Sequence, residues 1–208
     1  MPRHGTPSAV REALLPSDAF DDLLLAKFEP WKKYYLDRYG LRINLEGTKI
    51  PVASDDFDHL VVVAQGLTLN RLVAVGRQSY KMWTYQGDLD KAVIHNDREP
   101  TENYGIWVRG RQEADEELVN LSAKDIWSKK LTGETLLERL IHGDEWFTRI
   151  DQHLDQYNAT LCVGSRCLGC GVPSVYCSRG QRKTYVSFYR PQDPQDLNAY
   201  LRCRLAVS

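Results

Sequence analysis

The sequence predicts an α+β fold, and three observations carry that reading. Apolar residues recur at helical spacing in several stretches. Short β-branched runs of strand length stand between them. The last quarter of the chain reads as strands and turns throughout. Helices and strands that come in blocks, without strict alternation, fit helices packed on a small mixed or antiparallel sheet with a loop-rich C-terminal half. With 208 residues, 42% hydrophobic and 26% charged, the chain can bury a core without disulfides or metals.

The elements follow in order. Residues 1 to about 20, with scattered Pro, Gly and Ser, read as a mobile arm. Asp18 to Leu36 reads as helix interrupted near Pro30, with Tyr34, Tyr35 and Tyr39 packing on the body. Leu60 to Ala64 is a β-branched run that Gly66 breaks, and predicts a buried strand. Thr68 is an N-cap for a helix through Tyr80. Tyr104 to Arg109 predicts a second strand. Ser122 to Asp125 and Thr135 to Glu138 have capping-box spacing. Leu136, Leu140, Phe147, Ile150 and Leu154 then mark the core stripe of an amphipathic helix of about five turns. Beyond Asn158, the stretches 159–163, 172–176, 184–189 and 201–207 predict strands, punctuated by Gly164, Gly169, Gly171, Gly180, Pro191 and Pro194. This divides the chain into an N-terminal arm and packing segment, 1–56, and one domain, 57–208.

Composition excludes several function classes. A net charge of −1 argues against a general nucleic-acid binder. The longest apolar runs are far too short to span a bilayer. The N-terminus lacks an apolar signal core, so a cytoplasmic, reducing location is the default and free thiols are expected. The charge is not evenly spread. From Thr160 onwards there are seven basic and two acidic residues, net +5, and no Glu. All five cysteines and four of the 11 tyrosines fall in the same tail.

Catalytic motifs are absent: there is no Walker loop, no G-x-G-x-x-G and no G-x-S-x-G elbow. His4, His59, His95, His142 and His153 are scattered, which predicts surface or capping roles. The acidic groups Asp55-Asp56 and Asp115-Glu116-Glu117 read as solvated. Cys162, Cys167 and Cys170 have C-x4-C-x2-C spacing, which iron–sulfur proteins use, with Cys177 or Cys203 as the fourth ligand. The segment is basic, however, and Cys162 ends an apolar strand, where a buried inert thiol is the commoner outcome. No cofactor or metal is therefore expected.

The tail instead carries a recognition signature. Tyr185, Ser187 and Tyr189 alternate along one strand and share a face, while Val186 and Phe188 take the other. Tyr176, Arg179, Arg190, Gln192, Asp193, Asn198 and Tyr200 lie nearby on strand ends and turns. Tyrosine supplies large amphipathic contacts at low entropic cost, and small polar residues supply adaptable hydrogen bonds.

Leu161-Cys-Val-Gly-Ser-Arg166, Val172-Pro-Ser-Val175 and the closing Leu201-Arg-Cys-Arg-Leu-Ala-Val-Ser208 resemble the end of C-type-lectin-fold proteins. The stretches Leu60 to Gln65, Leu67 to Asn70 and Glu113 to Leu118 also resemble scaffold of that kind. The likeness is strongest to the variable proteins of diversity-generating retroelements. It implies a non-enzymatic ligand binder whose tail, about 162–208, is diversified, with an unidentified protein or other macromolecule as partner. The tyrosine and cysteine enrichment of the tail fits diversification at adenines of a template. The same superfamily holds copper-dependent formylglycine-generating oxidases. These resemble this chain at Gly164-Ser165 and the cysteines, but their four-residue cysteine spacing occurs here only at Cys162 and Cys167, which straddle the Gly-Ser pair.

Together these readings assign Val172, Val175, Val186, Leu201, Leu205 and Val207 to the core. They assign Tyr176, Cys177, Tyr185, Ser187, Tyr189, Arg190, Asn198 and Tyr200 to an exposed, interchangeable face. Cys167, Leu168, Cys170, Arg179, Gln192, Asp193 and Cys203 complete the set of ligand-binding candidates.

Overall fold

The structure, a computed structural model, describes residues 17–54, 56–169, 171–190 and 200–208. The arm expected at the N-terminus falls largely outside them. The molecule is α+β. Helix α1 (Ser17–Tyr39) is followed by β1 (His59–Val63), α2 (Leu69–Ser79), β2 (Lys81–Thr84), α3 (Leu89–Ala92), β3 (Val93–Asn96) and β4 (Tyr104–Val108). A 3-10 turn (Glu116–Leu118) leads to α4 (Ala123–Ser128) and α5 (Leu136–Ile150). Strands β5 (Ala159–Leu161), β6 (Ser165–Cys167), β7 (Val172–Ser178), β8 (Lys183–Tyr189) and β9 (Leu201–Cys203) complete the described elements.

The main sheet has the order β2-β8-β7-β5-β9. The β7–β8 and β5–β7 pairs are antiparallel, and the outer pairs β2–β8 and β5–β9 are parallel. Antiparallel β1–β4 and β3–β6 ribbons stand beside it. The core lies between the inner face of the main sheet, the β1–β4 ribbon and helices α1, α2 and α5.

Helix α1 is not interrupted at Pro30 but runs through it. A proline inside a helix removes one hydrogen bond and costs about 3 kcal/mol. Burial of Phe28, Trp31, Tyr34, Tyr35 and Tyr39 offsets that cost. Tyr35 also ties the helix to β1, because its hydroxyl donates to the Val62 carbonyl at 2.7 Å and accepts from the Ala64 amide at 3.2 Å. The packing segment is thus an integral part of the core.

The caps read from sequence are present at Thr68, Ser122 and Thr135, the last two as full capping boxes. Helix α5 is shorter than its apolar period implies. Its 15 residues end at Ile150, and the next residue, Asp151, takes a left-handed conformation with φ 55° and donates its N–H to the Phe147 carbonyl. Ile150 therefore turns outward and is 38% exposed, Phe147 is half-buried, and Leu154 is buried from the loop beyond. Val172, Val175, Val186 and Leu201 are buried as expected, whereas Leu205 and Val207 are half-buried. The last strand is also shorter than its pattern suggests. After Cys203 the chain leaves the sheet and bridges Gly133 through Leu205 and Trp107 through Val207.

The Gly164-Ser165 pair docks on the start of α5. A side chain at Gly164 would meet the Gly133 carbonyl oxygen at 2.9 Å and the Thr135 amide at 2.9 Å. Ser165 Oγ accepts from the Leu136 amide at 2.8 Å and donates to Asn96 Oδ1 at 2.6 Å. The serine thus satisfies one of the helix's unpaired N–H groups.

Candidate binding face

Register builds a continuous aromatic row across the outer face of the main sheet. Tyr176 on β7 stands opposite Tyr185 on β8, and Tyr185 stands opposite Trp83 on β2. The rings of Tyr176 and Tyr185 stack at 5.0 Å with an interplanar angle of 8°. Trp83 follows at 5.7 Å from Tyr185, and Tyr85 at 6.2 Å from Trp83. On the other side Tyr200 meets Tyr176 edge-on at 5.7 Å. Trp83, Tyr185, Tyr176 and Tyr200 therefore form a row that crosses the strands, and Tyr85 extends it along the chain just beyond β2. Trp83 is 41% and Tyr85 61% exposed, and the other three are half-buried. Lys183 Nζ sits 5.0 Å above the Tyr185 ring, and the Tyr185 hydroxyl donates to Gln181 Oε1. Burial pushes the Tyr176 and Tyr200 hydroxyls above the ordinary tyrosine value, so both remain neutral donors.

The same face is covered at its other end. Leu161, Val172 and Cys203 pack under Leu118, Ala123 and Ile126 of the 3-10 turn and α4, forming a second small core. Tyr189, predicted as freely exchangeable, packs against this cluster and is half-buried. Ser187 lies between the covered and open ends, opposite Ser174.

The structure separates the remaining candidates. Cys177 and Cys203 are 2% and 1% exposed and Cys167 6%, so these three are interior side chains and not contact residues of an open face. Alternation explains the error for Cys177, which shares the inner face with Val175. Cys167 belongs to the β3–β6 ribbon, with exposed Leu168 just beyond it, so neither lies on the main sheet. Arg179 sits at the tip of the β7–β8 hairpin and Arg190 is exposed at the end of β8. Cys170, Gln192, Asp193 and Asn198 lie outside the described residues. Burial pushes the Cys162, Cys177 and Cys203 thiols upward, which disfavours the reactive thiolate. Among the described residues no group of three or more His, Cys, Asp or Glu is arranged to hold a metal ion.

Trp83 and Tyr85 were missed in the sequence. The alternation of Lys81-Met-Trp-Thr-Tyr85 was the available signal, with Met82 buried just before Trp83 and Thr84 half-buried between the two aromatic positions. Nothing local, however, shows that this stretch pairs with β8.

Behind the face lies a buried polar network. Asp155, fully buried, receives Arg139 at 2.7 Å and Arg204 at 2.6 Å. Burial opposes ionisation of Asp155, but the two guanidinium groups and the Thr160 hydroxyl outweigh it and hold the carboxyl below its usual range. Arg204 also donates to the backbone carbonyls of Arg111 and Gln112 and to Thr160 Oγ1. Asp115, expected in solvent, is buried and paired with Arg109 at 2.8 Å.

His95 is exposed as expected and His4 lies outside the described residues, but His59, His142 and His153 depart from the expected surface roles. His142 and His153 are buried, and His59 stacks on His142 at 5.0 Å. His142 Nδ1 lies 2.8 Å from Glu134 Oε1. Burial pushes Glu134 up to about 7, against the opposing pull of Arg204 and Arg139. Burial, reinforced by His59, pushes His142 well below the ordinary histidine value. Below about pH 7 the pair is therefore a carboxylic acid beside a neutral imidazole.

Comparison with family models, with curated proteins and with solved structures gives no match. No helix among the described residues is long and apolar enough to cross a membrane.

Proposed function

We propose that this chain is a non-enzymatic recognition protein that holds a protein or other macromolecular ligand on the open half of its main sheet. Its scaffold is read as C-type-lectin-like, of the kind used by the variable proteins of diversity-generating retroelements. The aromatic row carries this reading. Tyr and Trp contribute large contact areas with only two side-chain torsions each, and they dominate binding hot spots. Here they are mounted on paired strands, so little order remains to be gained on binding. Tyr176, Tyr185, Ser187 and Tyr200 come from the tail, whereas Trp83 and Tyr85 come from outside it. The face thus joins a constant wall to a changeable one.

Two libraries test the proposal. One randomises Tyr176, Tyr185, Ser187 and Tyr200 together, and the other randomises Val172, Val175 and Val186. The first should remain largely folded and yield binders on selection against unrelated protein targets. The second should mostly fail to fold. Equal intolerance in both libraries would make the row structural. The retroelement link is tested at the DNA level. A reverse-transcriptase gene beside a near-copy of the segment encoding the tail supports it, and an ordinary neighbourhood removes it.

A further inference from the structure

One cleft, about 610 Å³, is lined by Lys49, Arg98, Glu102 and Tyr104 among others. Its charges are already matched, since Lys49 pairs with Glu102 at 2.7 Å and Arg98 with Glu138 at 2.6 Å. A smaller cleft, about 410 Å³, lies at the tip of the β7–β8 hairpin and differs in this respect. Arg179 and Arg182 contribute to its wall from the hairpin loop, and Asp151, His153 and Tyr157 contribute from the segment between α5 and β5. Among the described residues, neither arginine forms an ion pair.

The wall opposite the arginines is well held. The side-chain amides of Gln112 and Gln156 both donate to the His153 carbonyl, at 3.0 and 3.1 Å. The His153 ring stacks on Phe147 at 4.7 Å. Arg179 lies over the Tyr157 ring at 4.3 Å. A guanidinium stacked on an aromatic face keeps its N–H edges available, and that planar fork matches the oxygens of an oxyanion. Asp151, the exposed C-cap of α5, is the carboxylate on the wall. Two cationic side chains and one carboxylate therefore line the cleft.

We propose that this cleft binds a phosphate or sulfate group carried by a larger ligand. Its volume falls within the range of small-molecule sites, roughly 300–1,000 Å³, and exceeds what a single inorganic oxyanion needs. The Tyr157 ring supplies an apolar wall for the part of the ligand that bears the anion. The site shares no residue with the aromatic row, so the inference stands apart from the recognition reading.

The test titrates the full chain with inorganic phosphate, and separately with sulfate and acetate, at constant ionic strength. Binding is followed by thermal stabilisation and by NMR shifts of the arginine side chains. Phosphate and sulfate should give saturable binding in the millimolar range, with acetate weaker by about tenfold. Replacing both arginines, Arg179→Gln with Arg182→Gln, should weaken phosphate by at least about tenfold, because both charge-assisted donors are lost. Both sites are exposed, so the unliganded melting midpoint should stay at the wild-type value. Asp151→Asn should tighten binding, and Tyr185→Ser should leave it unchanged. A wild-type response that does not saturate would overturn the proposal, as would equal binding of acetate or an undiminished response in the double-arginine variant. Failure here leaves the aromatic face untouched, since Tyr185→Ser is read in the same titration.

Discussion

Val175 and Val186 form one cross-strand pair of the main sheet, and Tyr176 and Tyr185 form the next. The valines are 1% and 0% exposed, whereas the tyrosines stand half-open on the other face. On that outer face a second contrast appears. Val172 lies on it, one strand-end away from Tyr176, yet it is sealed beneath Ile126 and Ala123. Alternation therefore decides which face a side chain joins, but not whether that face is covered. The cover comes from α4, a six-residue helix distant in sequence from the strands it closes. One face of a single strand is therefore open at one end and sealed at the other.

Perturbing the inner face should have the largest effect. Arg204→Leu leaves Asp155 buried with Arg139 as its remaining cation, and breaking such a pair costs about 3–5 kcal/mol. Chemical denaturation measures it, and a loss below about 1 kcal/mol would show that the inner face tolerates charge loss. Ile126→Ala, which thins the cover over Val172 and Leu161, should cost about 2–5 kcal/mol. A change within error would place the second core in solvent.

The pair Glu134 and His142 sharpens the contrast through pH. Folded, it holds one proton on Glu134, because His142 stays neutral. Unfolded, between the ordinary values of 4.5 and 6.5, it also holds one, on the histidine. Its net contribution to stability is therefore flat in that window. Glu134→Gln removes the carboxyl's share. The folded variant then binds no proton while its unfolded chain still gains one on the histidine. Relative to wild type, the variant should lose about 1.4 kcal/mol for each unit the pH falls from about 7 to 4.5. Parallel stability profiles for the two proteins would show that Glu134 titrates normally.

The smallest effects belong to the outer face. Tyr189→Ser, at the covered end, should cost about 1 kcal/mol or more. Tyr185→Ser should cost about 0.5–1.5 kcal/mol through loss of the stacked ring pair, while an anchoring tyrosine contributes at least about 2 kcal/mol to binding. If Tyr185→Ser proves more damaging to stability than Tyr189→Ser, the division of this face into open and covered ends fails.

Much of this was legible in the sequence. The helix caps at Thr68, Ser122 and Thr135, the strands around Val61, Ile106 and Val186, and the shared face of Tyr185 and Ser187 all follow from local chemistry. What was not legible depends on partners remote along the chain. The stacking of His59 on His142 and the burial of Asp115 by Arg109 have no local pattern, because both are products of packing. Cys177 was placed on the open face for its composition, although its position next to Tyr176 in a strand put it on the inner side. Trp83 and Tyr85 escaped because their role depends on β8.

That dependence has a consequence for the chain during synthesis. Nearly half of the sequence separates Trp83 from Tyr185, and β2 pairs in the main sheet with β8 alone. Until the C-terminal quarter has left the ribosome, the strand that carries Trp83 is an edge without a partner, and such edges invite pairing with other chains. The strand that carries Tyr185 must close that edge before the outer face is complete. The same side chain thus serves both the pairing of β8 with β2 and the outer surface of the finished sheet.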